Sequence, residues 1–137
     1  MRRLKVIVAS PDDGLSSRVA TLLANRGHHV VGQCFTSIEA LEACFDESAD
    51  LAVLDDRLST IRGSEIAKVL RDLDSPTAAV VIHEGDGSLA DEPLLVLDPT
   101  RRGFEAALLN IADTLPPPRL TPTGRARPVR IGSPSAP

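Results

Sequence analysis

The feature that most constrains this chain is the stretch Asp50-Leu51-Ala52-Val53-Leu54-Asp55-Asp56, four apolar residues without alternation that end on a pair of carboxylates. So short an apolar run with no polar face fits a strand covered on both sides, as in a parallel α/β sheet flanked by helices. In such sheets, ligands and chemistry gather at the carboxyl ends of the strands. The stretch therefore reads as a buried strand that delivers Asp55 to a working edge. Gly63, eight residues after Asp55, opens a helix-like segment.

The rest of the chain supplies the partners such a strand needs. Residues 4–9 form a short, largely β-branched run, a first strand. Ser10-Pro11-Asp12-Asp13 then has the layout of a helix start, with Ser10 as N-cap, Pro11 at the first helical position and acids in the first turn. Leu15, Val19, Leu22 and Leu23 share a helical face, and Gly27 closes that helix. A second strand over 29–34 precedes a helix carrying Ile38, Leu41 and Phe45, with Thr36 or Ser37 as its cap. After the central strand, Ile66, Val69, Leu70 and Leu73 predict a third helix facing the sheet, and Asp74-Ser75-Pro76 stops it. Residues 78–82 and 94–97 are two more strands. The segment 84–92 between them is too short and too polar for an ordinary helix. A final helix points Phe104, Ala107, Leu108, Ile111 and Leu115 inward. Five strands alternating with four convincing helices predict a flavodoxin-like, doubly wound parallel sheet in the order 2-1-3-4-5.

Charge divides the chain in two. Residues 1–115 carry 11 basic and 19 acidic side chains, whereas 116–137 carry four arginines, no acid and seven of the eleven prolines. The first part, at about −8, is unsuited to binding nucleic acid directly. The second has no periodic apolar face and reads as a Pro/Arg-rich disordered tail or linker. No stretch approaches the roughly 20 apolar residues that span a bilayer, so no membrane association is expected and a cytoplasmic location is. Cys34 and Cys44 have neither metal-ligand spacing nor the density of a disulfide framework and are expected as buried free thiols.

Over residues 4–115, the strand and helix pattern, the segment Asp50 to Leu58 with its following Gly63, and Arg26-Gly27-His28-His29-Val30-Val31-Gly32 resemble the response-regulator receiver domains of two-component signalling. The resemblance implies that Asp55 is a phosphoacceptor served by a histidine kinase, with Mg²⁺ neutralising the transferred charge. It also implies an acid pair after the first strand, a hydroxyl at the end of the fourth and a lysine at the end of the fifth.

Set against that pattern, the family's acid pair falls on Ser10 and Pro11, leaving Asp12 and Asp13 further on. His83 stands where the hydroxyl is expected, and Asp98 where the lysine is. A carboxylate at 98 is expected to add repulsion to Asp55 and Asp56, since clustered carboxylates without a cation raise one another's pKa. A rearranged cation site on Asp55, Asp56 and Asp98, or a metal held by Asp12 and Asp55, stays open. His83 is expected as a partly buried, hydrogen-bonded histidine. No nucleophile, base and orienter set for hydrolysis is present, so no enzyme is expected.

These departures from the receiver pattern predict a degenerate, pseudo-receiver module without standard Mg²⁺-dependent phosphotransfer. It would have a protein partner, a histidine kinase or a downstream regulator, and the capacity for a homodimer. Its fourth family helix would be shortened or lost. The alternatives are a working receiver phosphorylated on Asp55 and the sensor half of a helix-turn-helix transcription regulator.

Overall fold

The computed structural model describes residues 3–85 and 94–115. Five strands, β1 (Lys5–Ala9), β2 (His29–Cys34), β3 (Leu51–Asp55), β4 (Ala78–Ile82) and β5 (Leu95–Leu97), alternate with α1 (Asp13–Asn25), α2 (Ser37–Asp46) and α3 (Gly63–Asp72) and end in α4 (Phe104–Thr114). All neighbouring strands are parallel, in the order β2-β1-β3-β4-β5. This is the flavodoxin-like arrangement expected from the sequence. The segment 86–93, which falls where the shortened or lost helix is expected, and the tail 116–137 lie outside the described residues.

β3 is central because every one of its residues is buried. Successive side chains of a strand point to opposite faces, and β3 sorts its residues between two cores accordingly. Leu51 and Val53 join Val6, Val8, Val80 and Ile82 beneath α1 and α4, with Leu15, Val19, Leu23, Phe104 and Leu108. Ala52 and Leu54 join Ile7, Ala9 and Val81 beneath α2 and α3, with Ala40, Cys44, Ile66, Ala67 and Leu70. Both cysteines are free and buried in this second core.

The inward faces of α2 and α3 differ from expectation. Ile38 and Phe45 of α2 are half exposed, as are Val69 of α3 and Leu73 at its end to varying degrees, while the small residues Ala40, Cys44 and Ala67 meet the sheet. Small side chains let a helix axis approach the sheet closely, and that turns the larger neighbours on the same stripe outward.

The helix ends follow capping chemistry. Thr36 caps α2: its Oγ1 accepts from the Glu39 amide while the Glu39 carboxylate accepts from the Thr36 amide. Gly27, at φ +100°, continues from the end of α1 in the left-handed conformation that glycine adopts without steric penalty. The α1 start is later than expected. Asp12, not Ser10, is the N-cap, accepting from the Leu15 amide at 3.1 Å, and the exposed Pro11 precedes the helix. Ser-Pro-Asp-Asp offers two overlapping cap registers; the later one is taken, and the Ser10 hydroxyl accepts from the Asp12 amide at 3.0 Å while its proton goes to another partner.

Candidate functional site: the carboxyl ends of β1, β3 and β4

Asp55 ends β3 with 1% of its surface exposed. A carboxylate there is stable only if hydrogen-bonded or paired. Ser10, the residue that follows β1, donates its hydroxyl to Asp55 Oδ2 at 2.7 Å. Arg57 folds back over the same carboxylate: its backbone amide donates to Oδ1 at 2.8 Å, its Nε lies 3.1 and 3.2 Å from the two oxygens, and a terminal nitrogen reaches Oδ2 at 2.8 Å. The same terminal nitrogen lies 3.4 Å from Asp12 Oδ2. One guanidinium thus bridges a buried and an exposed carboxylate. The Leu15 amide, then the guanidinium, hold the Asp12 carboxyl below its ordinary range against some desolvation. The hydrogen bond to Asp55 raises the Arg57 pKa further.

Asp56 faces the opposite way, as the strand alternation requires. Burial pushes its pKa up, but hydrogen bonds from the Ser64 hydroxyl and amide and from Arg62 outweigh it and hold the carboxyl below its ordinary range. The Ser64 amide donates at 3.0 Å, and Arg62 pairs with Oδ2. His83, just past β4, places Nδ1 3.3 Å from the same oxygen. His83 is partly buried, as expected, and meets Asp56 rather than Asp55.

Gly63 explains how α3 comes so close. A β-carbon there would lie 2.6 Å from the Asp55 carbonyl oxygen and 2.8 Å from its carbon, so only glycine lets the helix start against the strand tip.

Asp98 corrects one expectation. Its oxygens are not hydrogen-bonded into a cluster with Asp55 and Asp56 but are committed to the loop after β5 and to Gly85, past β4. It accepts from the Thr100 amide and hydroxyl at 2.9 and 2.6 Å and from the Gly85 amide at 3.0 Å, with Arg101 Nε 3.6 Å away. These bonds, led by those from Thr100, lower its pKa to about 2. Asp55 and Asp56 meanwhile each have an arginine. Among the described residues no group of three or more His, Cys, Asp or Glu is placed to hold a metal ion. Asp13 stands exposed in the first turn of α1.

The residues that the sequence does not single out are Arg57, Arg62 and Ser64. An arginine two residues after an acid is too common to signal that it folds back, and only the buried end of β3 makes that pairing compulsory.

The architecture and this edge can be set beside known proteins. No protein-family model matches the sequence, and no curated protein matches it either. Solved structures do. The signal receiver domain of the response regulator NarL from Mycobacterium tuberculosis superposes with a TM-score of 0.69 at 22% identity, covering 83% of this chain and 99% of that one. The chain has the receiver-domain fold. A Francisella response-regulator receiver domain matches with a TM-score of 0.71 at 20% identity, over 82% of this chain and 96% of its own. The receiver domain of the sensor histidine kinase PA1611 from Pseudomonas aeruginosa matches at 0.69 and 14% identity, over 83% and 98%; that structure has a magnesium ion coordinated in its active-site cleft. No helix among the described residues is long and apolar enough to cross a membrane.

Proposed function

We propose that this chain is an atypical receiver-type signalling and protein-interaction module of a two-component-type pathway, acting in the cytoplasm without enzymatic activity and without standard Mg²⁺-dependent phosphotransfer. The observation that carries this reading is the full occupation of Asp55 by Ser10 and Arg57. Phosphoryl transfer to a carboxylate needs a free oxygen as nucleophile and a cation placed to neutralise the entering group. Here both oxygens of the acceptor already accept hydrogen bonds, and a serine and a proline follow β1 where an acid pair would hold the metal. Asp98, in place of a lysine, is committed to Thr100 and Gly85. Signals would then pass through binding, by a histidine kinase, a downstream regulator or a second copy of the chain.

Intact-mass spectrometry after incubation with acetyl phosphate or phosphoramidate and Mg²⁺ tests this directly. The expected result is an unmodified chain. A stoichiometric gain of about 80 Da, the mass of a phosphoryl group, that disappears in Asp55→Ala would establish the phosphoacceptor alternative instead.

A further inference from the structure

We infer that Arg57 is a tethered counter-ion that takes the place of a divalent cation at Asp55, and that removing this one side chain makes the strand tip receptive to such an ion. The inference rests on the atypical-receiver reading and names the residue responsible for it.

An ionised carboxylate offers about four lone-pair positions. Among the described residues four donors converge on Asp55: the Ser10 hydroxyl, the Arg57 amide, the Arg57 Nε shared between both oxygens and an Arg57 terminal nitrogen. Three of the four belong to Arg57. A guanidinium presents its donors in a planar fork that matches a carboxylate edge, so it satisfies geometry as well as charge. Its terminal nitrogen also engages Asp12, the other carboxylate that reaches this spot, at 3.4 Å. Mg²⁺ needs oxygen ligands in near-ideal octahedral geometry and gives up its water reluctantly. It would have to displace a cation covalently attached two residues away, whose local concentration does not depend on the solution.

The displacement is blocked by charge and hydrogen bonding rather than by packing. The Arg57 side chain is 56% exposed, while the Asp55 side chain beneath it is 1% exposed. Without the guanidinium, Asp55, Asp12 and the Ser10 hydroxyl would present only oxygen, the donor type a hard cation takes. The buried Asp55 would then lack its counter-charge and gain most from an ion in solution.

The test compares thermal unfolding of the full chain in chelator and in millimolar Mg²⁺ at constant ionic strength. Wild type is expected to melt at the same temperature in both. Arg57→Ala is expected to melt lower in chelator and to recover with Mg²⁺, with an affinity for the ion about tenfold or more above wild type. Arg57→Ala combined with Asp55→Asn should lose the Mg²⁺ response, and Arg57→Lys, which keeps a cation, should not acquire it. Should Arg57→Ala fail to fold in chelator, Arg57→Gln is read instead by Mn²⁺ broadening of the amide resonances of Asp12, Leu15 and position 57. An Arg57 variant that gains no Mg²⁺ or Mn²⁺ response, or a wild type that responds as strongly, overturns the inference. A variant without a response leaves the atypical-receiver reading intact, since that reading is decided by phosphoryl labelling of wild type, whereas a wild type that responds counts against both.

Discussion

Replacing Gly63 by alanine should damage the receiver fold at the point where α3 meets β3. Glycine in a helix normally costs stability relative to alanine, by up to about 1 kcal/mol in helix interiors, so propensity alone predicts a gain. Sterics predict the reverse. The added β-carbon would sit 2.6 Å from the Asp55 carbonyl oxygen, 2.8 Å from its carbon and 3.0 Å from the Leu54 carbonyl oxygen. All three are backbone atoms of the fully buried β3, and the Asp55 carbonyl also accepts from the Leu58 amide at 3.2 Å. Overpacking of this kind costs about 1–3 kcal/mol, more than the propensity gain, and in a domain of this size each kcal/mol is roughly 4 °C of melting temperature. Gly14→Ala is the control: its β-carbon would lie 3.4 Å from a side-chain oxygen of Asp12, an ordinary contact, in the first turn of α1. Urea and thermal unfolding should show Gly63→Ala clearly destabilised and Gly14→Ala unchanged or slightly stabilised. Equal stability of Gly63→Ala and wild type would mean that α3 can back away freely and that this contact does not fix the strand tip.

Asp98→Lys should lower the melting temperature, since lysine cannot accept from Thr100 and Gly85; a rise would show that repulsion toward Asp55 governs the site after all. Because the folded pKa of Asp98 is depressed to about 2 from 3.8, its contribution is fully present above about pH 4 and is lost as pH falls toward 2, so the gap between wild type and Asp98→Ala should close over that window. His28→Leu should cost about 1–3 kcal/mol in denaturant unfolding, because the buried imidazole Nδ1 accepts from the Leu4 amide at 3.1 Å and leucine leaves that amide unpaired; His28→Asn should recover part of the loss. Cys34 and Cys44 should react with a thiol reagent near pH 8 far more slowly than in urea, burial having raised both pKa values, that of Cys44 to about 11.

The strands are legible in the sequence because their signal is local. Four apolar residues between acids leave few options for β3, and alternation with helices, short connections and right-handed crossovers give a doubly wound parallel sheet, most simply in the order 2-1-3-4-5 that the structure has. Side-chain partnership is less so. Ser10 and Asp12 are both good caps by type, and nothing local reveals that the Ser10 proton goes to Asp55, 45 residues away. Asp98 has the sequence position of a carboxylate-cluster member because it follows β5 near the same edge, whereas Thr100, two residues on, turns it away. Ile38, Phe45, Val69 and Leu73 carry the right period, yet their stripe is wider than the contact, and Ala40, Cys44 and Ala67 are what the sheet admits. Arg57 is invisible as a partner because its role is set by burial of the acid near it, a tertiary fact.

The two neighbouring acids at the end of β3 face opposite ways, each with an arginine from its own side: Arg57 for Asp55 and Arg62 for Asp56. The edge is therefore a pair of back-to-back clasps joined by a single peptide unit. A ligand or partner that opens the clasp over α3 need not loosen the one beside α1. Among the described residues the two clasps share no side-chain partner, Ser10 and Arg57 serving Asp55 while Ser64, Arg62 and His83 serve Asp56.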